Sequence, residues 1–158
     1  MTTRQNILTA INAAVLGLDL VGAVVEAGRF NEGEEVATIS EAIASGKYAV
    51  EMLIGDDEVR DGDARVSGTV NKSFTVFFTV HCPPSVVDAD GAIAATEAIY
   101  AALVALYGGQ DPDAGTWGGL AIRTMDQGGG GVGVDPSLGT CITLVEAEVH
   151  YRHPWGQL

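Results

Sequence analysis

The side chains in this chain with most potential for chemistry are three histidines, two cysteines and several groups of carboxylates, spread over 158 residues. His81 and His150 fall near the ends of predicted strands, and His153 follows in a short tail. Brought together by the fold, the three would form a metal site or a pH sensor. Polar positions at strand edges explain them equally simply, and we prefer that interpretation.

The two cysteines do not define a disulfide framework or a zinc site. Cys82 and Cys141 are interpreted as isolated, small apolar thiols. His81 precedes Cys82, but no second C-x-x-C or H-x-x-x-H pair completes a set of four ligands. We therefore expect no metal and no cofactor.

The carboxylates are concentrated in an acidic stretch at residues 56–63. This stretch does not follow the EF-hand order D-x-[DN]-x-[DN]-G with a later Glu, so a solvated turn is the preferred interpretation. No spacing in the chain selects a pair of carboxylates for acid and base catalysis. An acidic turn of this kind is a candidate contact surface.

Glycine patterns give no support for nucleotide chemistry. Gly128, Gly130 and Gly133 satisfy G-x-G-x-x-G, but a strand follows them where phosphate binding requires a helix. The Gly46-Lys47 pair lacks the rest of a phosphate loop, and no G-x-S-x-G elbow occurs. The chain is therefore predicted not to be an enzyme.

Two helices and several strands are predicted around these residues. Thr2 or Thr3 caps a first helix with an apolar stripe at Ile7, Ile11, Val15 and Leu18, and a second helix, capped by Asp88 or Asp90, extends to about residue 107. Its apolar face includes Ile93. Strands are predicted at residues 21–27, 48–54, 64–70, 73–81, 119–125 and 141–152, with 64–70 and 73–81 forming a hairpin through Asn71 and Lys72.

Long loops are predicted between these elements, at residues 28–47, 55–63 and 126–139. Together the elements predict one α+β domain spanning residues 1–158, with a mixed or mainly antiparallel sheet of about five or six strands and two main helices. Phe77 lies on the face of its strand opposite the core, which indicates that this second face is also partly covered, by a helix or another subunit.

Composition excludes several classes of function. The chain is 47% hydrophobic and 18% charged, which is typical of a folded domain. A net charge of -13, with only eight Lys and Arg, leaves no basic patch for tight nucleic-acid binding. No apolar run reaches about 18 residues and no signal peptide is recognised, so we expect no membrane association.

The order of these elements resembles the tail terminator, or tail completion, proteins of long-tailed bacteriophages and related gene transfer particles. The resemblance covers most of the chain. It rests on the stretches TRQNILTAINAAVLG, YAVEMLIGDDEVRDGD, SFTVFFTVHC, DADGAIAATEAIYAAL and TLVEAEVHYRHP.

The resemblance implies a structural virion protein without catalytic residues or cofactors. Such a subunit assembles into a ring, usually a hexamer, that caps the tail tube protein, ends its polymerisation and offers a docking face to the head-tail connector protein. It implies a location at the tail-neck junction of the virion, after assembly in the host cytoplasm. DNA only passes through the channel, and an acidic lining lets it slide.

The candidate residues for subunit or partner contacts come mainly from the loops. They are Phe30, Ile39, Ile43, Asp56, Asp57, Glu58, Arg60, Asp61, Asp63, Phe77, Val132 and Val134. Trp117 and Trp155 are either interface anchors or local caps over the core. Alternatives are another neck or tail protein, such as a head closure subunit or the tube protein, and a small metal-binding or ligand-binding cytoplasmic domain.

Overall fold

A computed structural model describes residues 2–26, 32–61, 68–83, 89–108, 111–135 and 140–154. Within these ranges the chain forms three helices and one sheet of six strands, which confirms the predicted α+β class. In chain order the elements are α1 (Thr3–Leu16), β1 (Val21–Glu26), α2 (Glu32–Ala44), β2 (Tyr48–Ile54), β3 (Glu58–Asp61), β4 (Thr69–His81), α3 (Ala89–Ala105), β5 (Arg123–Asp135) and β6 (Thr140–Pro154).

The sheet is mixed and is organised around its two longest paired strands. Its strand order is β1-β2-β4-β6-β5, and β3 also pairs with β4, beyond the end of β2. β1 and β2 are parallel, whereas the remaining pairs are antiparallel. The β4–β6 register is continuous from Thr69 opposite Pro154 to His81 opposite Ile142.

Helix α1 begins where the sequence predicts. The Gln5 backbone N–H donates to Thr2 Oγ1 at 3.2 Å, and the Thr2 N–H donates to Gln5 Oε1 at 2.8 Å. This reciprocal capping box satisfies two backbone donors that the first turn leaves free. The apolar stripe predicted from spacing is buried, with Ile7, Ile11 and Val15 at most 1% exposed.

The two faces of the sheet differ in how they are covered. On one face, called the core face, α1 and α3 pack over alternate residues of β2, β4 and β6, including Phe74, Phe78 and Val145. On the other, called the open face, α2 packs only over β1 and the start of β2, through a small cluster of Val25, Ile39, Ala42, Ile43 and Ala49. Most of the open face is therefore left without a covering element among the described residues.

Three loop predictions are wrong because these polar or glycine-rich segments pack on the sheet or pair with neighbouring strands. Part of the predicted loop 28–47 is helix α2, whose Ile39 and Ile43 lie against the sheet. Most of the glycine-rich loop 126–139 belongs to β5, which pairs with β6 through two irregularities in register. The acidic turn contains β3, which pairs with residues 71–73 of β4.

Two strand predictions and one helix face also need correction. Residues 69–81 form one continuous strand, because Asn71 and Lys72 are paired on both sides, so the predicted hairpin turn is absent there. Residues 119–122 form turns, and β5 begins only at Arg123. Ile93 is 47% exposed and thus lies outside the buried face of α3.

The glycine run of β5 contains one position where the backbones approach closely. A Cβ on Gly129 would lie 2.4 Å from the Leu144 carbonyl oxygen and 2.8 Å from Val145 Cα, at a φ of +151°. A Cβ on Gly130 would meet nothing within 4 Å, although its φ is also positive, at +97°. Substitutions at Gly129 and Gly130 therefore distinguish the effect of a steric clash from the effect of backbone strain.

We expect Gly129→Ala to lower the free energy of unfolding by about 3 kcal/mol, because strain and a clash with the β6 backbone add. Gly130→Ala, the matched control, should lose about 1 kcal/mol from strain alone. Urea unfolding at 25 °C and low protein concentration measures both. Equal losses for the two variants would contradict the close approach of β5 to β6.

Candidate functional site

The open face carries an apolar strip that crosses its three central strands. The strip consists of Leu53 on β2, Phe77 on β4, and Ile142 and Leu144 on β6. Leu53 lies directly opposite Phe77. Leu144 pairs with Thr79, which is two positions from Phe77 on β4. Leu53 is 54% and Leu144 40% exposed. Contiguous exposed apolar surface of this kind marks an interaction site more often than scattered residues do.

A shallow groove extends this strip to the edge of the sheet. It is lined by Val132 and the neighbouring glycines of β5, together with Thr79, Ile142 and Leu144. Val132 is 45% exposed, as its assignment to a contact surface requires. The predicted contact residues Phe77 and Val132 therefore belong to one surface, although they lie far apart in sequence.

Charged pairs flank the strip at both ends. At one end the His81 Nε2 atom lies 2.9 Å from Glu51 Oε2. At the other, Arg60 Nε donates to Ser73 Oγ at 2.8 Å and the Arg60 guanidinium forms an ion pair with Glu148. His150 Nε2 lies 2.6 Å from the same Glu148 carboxylate. Arg60 thus serves to hold β3 against the sheet.

Arg123 and Arg152 also lie at this charged end, because of the alternation of side chains along their strands. Arg123 pairs with His150 across β5 and β6, and Arg152 lies two residues beyond His150 on the same strand. Alternation places all three on the open face. With Arg60, three of the eight basic residues in a strongly acidic chain therefore lie at one end of this face.

Asp57 forms an ion pair within its own chain. Arg4 Nη1 lies 3.4 Å from Asp57 Oδ2, and Arg4 Nη2 donates to the Gly55 carbonyl at 2.6 Å. The Arg4 guanidinium also lies over the Phe74 ring, 5.2 Å from its centroid. This network joins the start of α1 to the segment between β2 and β3, so the acidic stretch has a structural role.

The other predicted contact residues have different environments. Asp56 and Glu58 are exposed, whereas Ile39 and Ile43 lie on the side of α2 that is buried against the sheet and contribute to the chain's own core. Asp61 and Val134 lie in β3 and β5, and only their backbone is described. Phe30 and Asp63 lie outside the described residues, as does Trp155.

The three histidines are not brought together. His81 and His150 lie on the same face but eight positions apart along the β4–β6 register, a separation of roughly 27 Å. The ring of His153 instead contacts the ring of core residue Tyr151. Across the described part of the chain, no three His, Cys, Asp or Glu side chains are grouped to hold a metal ion.

The cysteines lie side by side, contrary to the expectation that they are isolated. The Cys82 backbone N–H donates to the Cys141 carbonyl at 2.9 Å, and both thiols are free. Burial, together with the neighbouring Cys141, raises the pKa of the Cys82 thiol. Because the thiolate is the reactive form, this environment makes Cys82 unreactive.

Trp117 caps the core locally, one of its two predicted roles. Its ring packs against the core, and its Nε1 atom donates to Thr124 Oγ1 at 2.7 Å. Thr124 in turn donates to the Gly115 carbonyl at 2.8 Å. The φ of Trp117 is +53°, a conformation that these contacts stabilise.

On the core-face side of the sheet, α3 has an outer surface that is mainly apolar and that reaches Val132 of β5, with which Ile93 and Glu97 line a pocket. We call this surface the helix face; it comprises Asp90, Ile93, Ala94, Glu97, Ala98, Ala101 and Ala105, all exposed. Five of these seven residues are apolar, whereas the solvent side of a surface helix is normally polar. The sequence did not single out this surface, although the alanine content of the helix was a usable signal.

No protein-family model and no curated protein matches the chain. Among the residues with described positions, no helix has the length and apolar character needed to cross a membrane. The case for a function therefore rests on the surfaces described above.

The tyrosines provide a test of the electrostatics on the core face. Tyr100 and Tyr107 of the α3 segment both donate to the Asp126 carboxylate on β5. The hydrogen bond to Asp126 is the main cause of the raised pKa of Tyr100, whereas burial is the main cause of the raised pKa of Tyr107. Burial likewise raises the pKa of Tyr48 and of Tyr151.

We therefore expect none of the four tyrosines of the folded protein to titrate at the ordinary value of 10.0. Because the folded pKa values lie above that of the unfolded chain, the associated stability is present below pH 10 and is lost as the pH rises through the folded values. Absorbance at 295 nm between pH 9 and 12 follows the titration.

Asp126→Asn should move the pKa of Tyr100 back toward its ordinary value and leave those of Tyr48 and Tyr151 unchanged, because it removes the carboxylate that holds the proton. Asp19→Asn, in an exposed turn, is the matched control and should change none of them. Carbon NMR of the tyrosine rings resolves the individual groups. An unchanged Tyr100 in Asp126→Asn would show that the pair does not form.

Proposed function

We propose that the protein is a structural virion subunit of the tail terminator type. In this role several copies form a ring, a hexamer in the related family, that caps the tail tube, ends its polymerisation and provides a docking face for the head connector. The ring would lie at the tail-neck junction of the virion after assembly in the host cytoplasm. The predicted order of elements, on which the resemblance rests, supports this proposal where the structure retains it, in α1, β2, β4, α3 and β6.

The observation that carries the proposal is the open face. A sheet with one face solvated normally presents polar residues there, yet the centre of this face holds Leu53, Phe77 and Leu144. This apolar group, with Glu146 opposite Phe77 and charged pairs at both ends of the face, has the pattern of a protein interface. A subunit that works by assembly requires such a surface.

The charge of the chain is consistent with a ring through which DNA passes. Its net charge of -13 and the scarcity of basic residues disfavour retention of a polyanion by counterion release. The arginines that are grouped lie at the end of the open face, where Arg60 is already paired with a carboxylate. DNA is therefore proposed as a passing molecule and not as a ligand.

Electron microscopy and light scattering of the purified protein, alone and with polymerising tail tube protein from the same genome, test this function. We expect closed annular particles with a mass that is a fixed multiple of 16.3 kDa. We also expect tubes that are capped at one end and stop growing when the protein is added.

Each of the other outcomes would indicate a different function. Open polymers of increasing mass would favour a tube protein, and rings that bind the connector but leave tube growth unchanged would favour a head closure subunit. Monomers under all conditions, with tube growth unaffected, would overturn the assembly function and return attention to a ligand-binding domain.

A further inference from the structure

The apolar strip on the open face lacks an occupant among the described elements of its own chain. The strip lies on the same side of the sheet as α2, which covers only β1 and the start of β2. The helices α1 and α3 lie on the core face and cannot reach it. Whatever covers the strip must therefore come from another molecule or from residues outside the described ranges.

We propose that the strip is the docking site for the helix face of a second copy of this chain. This inference rests on the proposed ring function and identifies the surfaces through which neighbouring subunits meet. The helix face supplies alanines, whose small side chains let a helix approach a sheet closely, opposite the larger Leu53, Phe77 and Leu144. Both surfaces would then bury apolar area that each leaves exposed in the free chain.

Charge complementarity favours a second copy as the occupant and sets the direction of the helix. The charged residues of the helix face are Asp90 and Glu97, both in its first half, and α3 contains no Lys or Arg. The basic residues of the open face lie together at the Arg123 and Arg152 end. The amino-terminal half of α3 therefore fits the arginine end, and its alanine-rich second half fits the strip.

The lengths of the two surfaces also match. From Asp90 to Ala105 the helix rises by about 22 Å. From His150, at the arginine end, to Ile142, at the far end of the strip, β6 extends by roughly 27 Å. On this alignment Glu97, about 10 Å beyond Asp90 along the helix, lies near Ala147 of β6, so Glu146 is the carboxylate that it approaches and Ala98 is the alanine opposite Glu146.

Two carboxylates of the open face already have partners. Glu51 lies against His81, and Glu148 forms an ion pair with Arg60 and lies beside His150, so these acids have partners on their own face. Arg123 and Arg152 are both exposed and so are accessible to Asp90 and Glu97 of the incoming helix. The contact joins two different surfaces, which makes it heterologous.

Two substitutions block one surface each without touching the core. Ala98→Glu places a carboxylate on the helix face, and Leu144→Glu places one in the strip; both positions are exposed, so folding should be retained. Each should weaken self-association by a factor on the order of 100, because an unpaired charge would be buried at the contact. Ala13→Glu on α1 and Val59→Glu on β3, also exposed, are the matched controls and should assemble normally.

Mixing the two blocked variants provides the decisive measurement, because each retains one intact surface. An equimolar mixture of Ala98→Glu and Leu144→Glu should form a 1:1 pair of twice 16.3 kDa that grows no further. Sedimentation velocity at several concentrations, with circular dichroism to confirm folding, detects this pair. A mixture that stays monomeric, or single variants that still assemble like the wild type, would overturn the inference.

A disulfide trap applies even where the wild type does not form stable rings. Ala105→Cys and Leu144→Cys proteins, mixed and oxidised with copper phenanthroline, should yield a heterodimer linked between these positions, identified by peptide mass, because both positions lie about 20 Å from the arginine end of the contact. The mixture of Ala13→Cys with Leu144→Cys is the control. Equal yields in the two mixtures would overturn the inference.

The two proposals fail in distinguishable ways. Rings that form despite Ala98→Glu and Leu144→Glu would contradict the proposed contact but would remain consistent with the virion function. A trapped 105–144 pair without any ring, and without an effect on tube growth, would support the contact and contradict the virion function. A different protein bound on the strip in place of a second copy would overturn the choice of occupant.

Discussion

The antiparallel pairing of β4 with β6 is the constraint on which the other features depend. Thirteen consecutive residue pairs fix which side chains of both strands face the core and which face outward. A shift of β6 by one residue against β4 would move Val145 and Val149 to the open face and place Glu148 in the core. Because most alternate residues on the core face are apolar, such a shift is strongly disfavoured, and the composition of the open face is fixed by the same register.

The parts of the fold that the sequence predicts correctly are those with a complete local signal. The capped stripe of α1 and the alternation in residues 73–81 and 141–152 each contain enough positions to define one period. Helix α2 was missed because the side it buries is narrow, with Ile39, Ala42 and Ile43 covering only the edge of the sheet. Asn71 and Lys72 resemble turn residues locally, yet β3 and β6 both pair with them.

The candidate surface was predictable only in part, for a related reason. Phe77 was identified because a large aromatic residue stands out on a polar face, and Val132 because it lies among glycines. Leu53 and Leu144 were missed because one leucine in an alternating strand is compatible with a half-solvated face. Their significance comes from the register that places them beside Phe77, which is a property of strand pairing and not of either segment alone.

The position of the two uncovered surfaces limits what an assembly of this chain can be. The strip and the helix face lie on opposite sides of one sheet, so a contact between them relates neighbours by a rotation that repeats from copy to copy. A closed ring results only where that rotation divides a full turn into a whole number of steps, and otherwise a filament grows. The angle between α3 and the strands of the open face determines that rotation. The twist of the sheet and the packing of α3 on β5, through Tyr100, Tyr107 and Asp126, therefore connect the core of one subunit to the closure of the whole assembly.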